Sequence, residues 1–308
     1  MPDYKGSPLP NSRPSAALPI LALLLGATSW GILWYPFRLV EAGGLPSPVA
    51  TLITYAVAVA VGGMVFYRAW REFPRSAALL SAIALTAGIT NVSYLIAIMQ
   101  ADVVRIVLLF YLAPLWTVPL ARLILGERLT FSGMVVMLIA MSGAIVMLWR
   151  PELGFPAPRD GYEWLGLMAG FTFAACNVLV KAAHRASPEA KSLAGCVGVM
   201  VVALPVALIL VPAVQTWPAL AAPHAGILVA VGVMLIATSV TFQYGVTHLS
   251  ANRAAVIMLF ELIVAAVAAH YLAGEVTRGQ DWIGGALIVA AGIFATVAES
   301  RTTESLQT

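Results

Sequence analysis

Glu261 lies near the middle of the apolar stretch Ala251–Leu272. A carboxylate at the centre of a bilayer costs about 2.5–3.5 kcal/mol on insertion scales, so an ionisable group there marks an ion or solute pathway by default. Such a carboxyl can bind and release a proton, or pair with a substrate ammonium. Other chemistry-bearing residues occur at helical spacing. Trp30, Trp34 and Arg38 stand at i, i+4 and i+8, and so do Phe173, Asn177 and Lys181; each trio shares one helix face. Asn91 and Tyr94 are three apart, Thr238, Thr241, Gln243 and Tyr244 cluster, and Tyr111 precedes Pro114 by about a turn. An aromatic and polar face of this kind suits a cavity for an amphipathic solute. The candidate substrate-binding set is therefore Glu261, Trp30, Trp34, Asn91, Tyr94, Tyr111, Asn177, Gln243 and Tyr244, with Pro114 and Pro119 as candidate gating positions that loosen one helix. The plainer alternative is that the amides and hydroxyls bond between helices, the tryptophans pack, and Arg38 and Lys181 snorkel at helix ends.

The elements that must position these residues are membrane helices. Of the 308 residues, 61% are hydrophobic and 10% charged, with a mean hydropathy of +0.92. Soluble domains carry about 25% charged residues. The apolar residues fall in blocks long enough to span about 30 Å of hydrocarbon: 18–40, 46–67, 77–99, 103–125, 131–149, 163–182, 192–212, 225–247, 251–272 and 282–298. The first block runs too far for a signal peptide and reads as a retained helix. Residues 1–16, rich in proline, read as a disordered cytoplasmic tail, and 300–308 as a second cytoplasmic tail. With the N-terminus inside, 12 basic residues fall on the inner side and 5 on the outer. The positive-inside rule thus puts both termini in the cytoplasm of a bacterial-type inner membrane. The net charge of +3 is then a matter of topology, and the scattered basic residues form no nucleic-acid stripe. Cys176 and Cys196 both fall inside helices and give no disulfide framework.

The chain also repeats itself. Asn91–Glu127 aligns with Ser239–Glu275 at a shift of 148, which places Arg105 on Arg253, Tyr94 on Phe242, Gly126 on Gly274 and Glu127 on Glu275. A shift of 143 places Arg38 on Lys181. Each half has five helices, an odd number, so the second half crosses the membrane in the opposite sense. Inverted repeats suit secondary transporters, whose sites lie at the midplane between the halves. The expected fold is an all-α polytopic membrane protein: ten transmembrane helices in two inverted five-helix repeats, 17–150 and 161–299. The repeat sets Ala113 opposite Glu261. Glu127 and Glu275 terminate helices and read as structural, and Gly166 and Gly170 form a GxxxG packing pair.

The run LLFYLAPLWTVPLARLILGERLT, followed by Gly133 and Gly143, resembles the signature of EamA-type transporters of the drug/metabolite transporter superfamily. In that family a proline sits mid-helix and a Gly-Glu pair closes the helix, matching Pro114 and Gly126-Glu127. The second copy, LFELIVAAVAAHYLAGE, matches the family's glutamate at Glu261 but has Leu262 where proline is common, which leaves helix nine without its expected kink. The resemblance implies export or uptake of amino acids, related metabolites or toxic compounds, usually without ATP, and no cofactor. The implied partners are a small-molecule solute, membrane lipid and a proton as candidate coupling ion, in a monomer or homodimer.

Enzyme motifs are missing from the sequence: it contains no HExxH, GxSxG or P-loop pattern. The reading is a secondary transporter of small metabolites, exporting by alternating access. A lipid or sugar-lipid flippase of the same fold is the alternative, and an intramembrane enzyme a more distant one.

Overall fold

A computed structural model describes residues 17–101, 103–149, 157–273 and 278–305. All regular elements among them are helical. The order is α1 (Ala17–Ala42), α2 (Ser47–Val65), α3 (Ala77–Gln100), α4 (Val103–Phe110), α5 (Ala113–Leu125), α6 (Phe131–Leu148), α7 (Gly161–Ala182), α8 (Pro188–Leu210), α9 (Trp217–Ala221), α10 (Ala225–His248), α11 (Ala251–Met258), α12 (Phe260–Ala273) and α13 (Gly279–Ser305), with short 3₁₀ turns between some of them. Nine helical stretches among the described residues are long and apolar enough to cross a membrane, and Gly279–Phe294 is a shorter apolar helix. The chain is a polytopic, all-α membrane protein. The proposed tails and the Gly274–Glu275 end of the repeat lie outside the described residues, apart from the helical backbone of 300–305.

Helix starts are set by local chemistry. Asp160 accepts from the N–H groups of Tyr162 and Glu163, Ser187 from Ala190 and Ser250 from Arg253. Each side-chain oxygen thus satisfies amide groups that have no partner inside their own helix. Gly126, at φ +70°, ends α5 in the left-handed conformation that glycine tolerates best.

The fourth apolar block is two helices, not one. The break falls at Tyr111–Leu112, and Pro114 stands in the first turn of α5, where its missing N–H costs nothing. Pro119 lies inside α5. The ninth block, expected to run straight for want of a proline, is also interrupted, at Leu259 between α11 and α12. The two breaks lie at positions related by the shift of 148. Proline therefore does not create the second break. The Leu259 N–H bonds back to Val256 and Ile257 carbonyls, and the Leu262 N–H to Leu259, so tighter turns carry it.

Packing pairs the halves in a reciprocal pattern. α3 packs on α7 and α8, and α10 on α1 and α2; α5 packs on α7, and α12 on α1; α2 meets α8 and α6 meets α13. Exchanging α1 with α7, α2 with α8, α3 with α10, α4–α5 with α11–α12 and α6 with α13 maps this set onto itself. Small residues permit the crossings. A Cβ on Gly198 would collide with the Ala84 carbonyl of α3, and one on Gly143 would come within 2.6 Å of the Gly284 carbonyl of α13. The GxxxG pair packs α7 on α4: a Cβ on Gly170 would stand 2.5 Å from the Phe110 carbonyl oxygen. Lipid offers no hydrophobic drive between helices, so close backbone approach of this kind holds the bundle.

Candidate functional site

The middle of the bundle is hollow. A cavity of about 1020 Å³, open solvent at its mouth included, is enclosed by α1, α2, α3, α7, α8, α10 and the two breaks. Of the residues expected at a site, Glu261, Trp30, Asn91, Tyr94, Tyr111, Asn177 and Gln243 all line it. Trp34 and Tyr244 are placed elsewhere. Trp34 is half-buried, edge-on to Tyr35 at 5.7 Å, and Tyr244 lies 4.2 Å from the His248 ring. Four residues of α-helix add about 40° of rotation, which is enough to carry Trp34 off the face that Trp30 presents.

The walls combine polar side chains with aromatic rings. Tyr55 donates to Asn91 Oδ1 at 3.1 Å, and Asn91 Nδ2 to the Ala87 carbonyl at 3.4 Å. Asn177 Nδ2 points at Met258 Sδ, 3.7 Å away. Both amides thus spend donors within the protein. Gln243 Oε1 is buried with no hydrogen-bond partner. Phe110 anchors an aromatic wall, with ring centroids 4.9 Å from Tyr94, 5.3 Å from Tyr111 and 5.2 Å from Phe173. These offset and edge-on geometries are the favoured ones for aromatic pairs.

Glu261 stands where two cavities meet. A second, smaller one of about 390 Å³ lies between α5, α7 and α11, and its lining includes Ala113, Pro114, Thr117, Ala255 and Glu261. Ala113 and Glu261, matched by the repeat, therefore face one space. Tyr111 is close enough to Glu261 for a side-chain hydrogen bond. The Tyr111 N–H still bonds to the Val107 carbonyl at 2.9 Å, so Tyr111 stands at the last turn of α4, next to the break. Pro114 borders the smaller cavity and Pro119 does not.

Beyond this smaller cavity, charged groups tie the helices together. Glu127 pairs with Lys181 at 2.8 Å and accepts from the Ala251 N–H at 3.0 Å, while Lys181 also donates to the Leu249 carbonyl. Lys181 therefore joins three helix ends rather than snorkelling alone. At the opposite end of α7, Glu163 receives Arg105 Nε at 2.5 Å and Arg105 Nη2 at 2.7 Å, both residues almost fully buried. α7 is thus pinned at both ends against the broken helix α4–α5.

Sequence reasoning missed Tyr55, Cys196 and Ser239 in the cavity wall and Glu163 in its ion pair. The signal for Ser239 was available, since the repeat places it on Asn91. Three repeat-related pairs line the same cavity: Asn91 with Ser239, Tyr94 with Phe242, and Trp30 with Phe173. Lys191 is fully buried in α8, its Nζ 2.9 Å from Thr247 Oγ1.

A membrane-embedded helical bundle with a polar, aromatic-lined chamber at its centre is the architecture of a protein that handles solutes within the bilayer. The EamA-like transporter family matches the chain twice, over residues 17–149 and 161–297. The chain belongs to that family, and it is a membrane transporter. A protein of Archaeoglobus fulgidus described as an uncharacterized transporter is 27% identical over 229 residues, covering 73% of this chain and 78% of that one. A solved crystal structure superposes with a TM-score of 0.67 over 92% of this chain and 98% of its own, at 20% identity, a likeness of fold alone.

Proposed function

We propose that this chain is a secondary transporter of a bacterial-type inner membrane that exports small metabolites by alternating access, with a proton as coupling ion and Glu261 as the group that exchanges it. Ten helices cross the membrane in this reading, as inverted repeats 17–150 and 161–299, with both termini cytoplasmic. The observation that carries it is Glu261 at the junction of the two cavities, within a bundle whose main helix contacts map onto one another when the halves are exchanged. Such a pattern lets each half adopt the other's conformation, which turns one central chamber toward either side in succession. In this reading the cluster of Glu127, Lys181 and the start of α11 closes the smaller cavity toward the cytoplasm. On the same reading the chain moves solutes and carries out no enzymatic reaction.

The flippase alternative is less well supported. The lateral groove between α1, α11–α12 and α13 is lined by Ile20, Leu24, Val256, Ile257, Phe260, Ile288, Val289, Gly292 and Ile293, which offer no polar side chain to a lipid headgroup. A headgroup crossing there would leave its hydration without replacement.

The test is flux in liposomes containing the purified protein, with and without an imposed pH gradient, for wild type and Glu261→Gln. The gradient should drive solute accumulation in wild type and have no effect in the variant, with both proteins equally folded. Equal gradient-driven accumulation by the variant would remove Glu261 from the cycle, and accumulation indifferent to the gradient in wild type would remove the proton.

A further inference from the structure

The charge inventory of the central chamber narrows what it can accept. Among the described residues lining it, Glu261 is the only one with a carboxyl group, and none is Lys, Arg or His. The basic residues nearest in sequence are committed elsewhere: Lys181 to Glu127 and Leu249, and Lys191 to Thr247. A solute carboxylate or phosphate entering here would lose its water and meet no cation, a burial that proteins avoid unless the charge is paired.

The same walls are complementary to a cation. Glu261 supplies a carboxyl, Gln243 Oε1 is a buried acceptor without a partner, and Trp30, Tyr94, Phe110 and Phe173 supply ring faces. Rings attract a nearby ammonium through their quadrupole, most strongly where water is excluded. The side-chain amides of Asn91 and Asn177 each direct an N–H at a protein atom, the Ala87 carbonyl and Met258 Sδ.

Resting on the transport reading above, we propose that the solutes of this chamber are organic amines carried as ammonium cations: a compact aromatic or branched apolar body with one protonated amine and no acid group. The ammonium sits between Glu261 and Gln243, and the body lies against the Phe110 wall. Zwitterionic amino acids are poor solutes because their carboxylate has no partner.

Phenethylamine, phenylalanine and 3-phenylpropionate share one body and differ in charged groups, so they form the test series. Binding to detergent-purified protein is read by calorimetry and counterflow flux in proteoliposomes. Phenethylamine should bind and move, phenylalanine at least about tenfold more weakly, the order of an unpaired buried polar group, and phenylpropionate not at all. Glu261→Gln should lose amine binding by a similar factor. Gln243→Leu should weaken it less, and serves if the first variant does not fold. Phenylalanine or phenylpropionate binding as well as the amine overturns the amine assignment while leaving transport intact. Amine binding without any flux supports the site and overturns the transport reading, and no binding of the amine overturns the assignment outright.

Discussion

Replacing Arg105 by methionine removes the cation from a buried, doubly bonded ion pair. Glu163 is 4% exposed, and its two oxygens accept from Arg105 at 2.5 and 2.7 Å and from the Arg159 N–H at 2.9 Å. After the substitution the carboxylate keeps the Arg159 amide but loses both guanidinium bonds. Breaking one partner of a buried pair costs about 3–5 kcal/mol, mostly because the remaining charge is uncompensated. The Arg105 bond to the Ala157 carbonyl, 2.9 Å long, is lost as well. In Arg105→Met/Glu163→Leu the carboxylate left without its guanidinium is gone, and the loss of the Glu163 acceptor costs about 1–3 kcal/mol. The double variant should therefore be more stable than Arg105→Met alone, with a coupling energy of about 2 kcal/mol. Reversible unfolding in mixed micelles of increasing SDS content measures all four proteins of the cycle. A double variant at the sum of the two single losses would refute the account, since the pair would then not act as a unit holding α4 to α7.

Further perturbations test other parts of the structure. Gly198→Leu puts a side chain into the Ala84 carbonyl at the α3–α8 crossing and should cost about 3 kcal/mol or more, whereas Gly226→Ala, with nothing within 4 Å, should leave the thermal midpoint unchanged. Lys181→Met loosens the closed end below the smaller cavity, so a thiol reagent should modify Ala255→Cys severalfold faster in that background. Trp30→Leu should remove most solute-dependent quenching of tryptophan fluorescence and Trp34→Leu little of it, because only Trp30 lines the chamber; equal effects would contradict the placement.

Much of this protein could be read from its sequence because hydrocarbon imposes few solutions. Blocks of about 20 apolar residues must be helices, since only helices and closed barrels satisfy their backbone in lipid, and the described helices follow the expected blocks apart from the two internal breaks and the extension of α13 to Ser305. Glu261, Asn91 and Gln243 were conspicuous for the same reason: polar groups inside apolar runs. What escaped detection depends on rotation and on partners far along the chain. Trp34 shares a nominal face with Trp30 but not the chamber, and Tyr55 looked like any aromatic residue in a span. The Arg105–Glu163 pair joins residues 58 apart, a contact that only the packing of α4 on α7 creates. The break at Leu259 appears without the proline that would have announced it.

The central claim is that one chamber opens alternately to the two sides, and Cys196 reports on it directly because it lines that chamber. In a Cys176→Ser background, a membrane-impermeant thiol reagent is applied separately to right-side-out and inside-out vesicles. Alternating access predicts modification of Cys196 from both sides, with solute slowing both reactions. Modification from one side only, in every condition of solute and pH gradient, would contradict it.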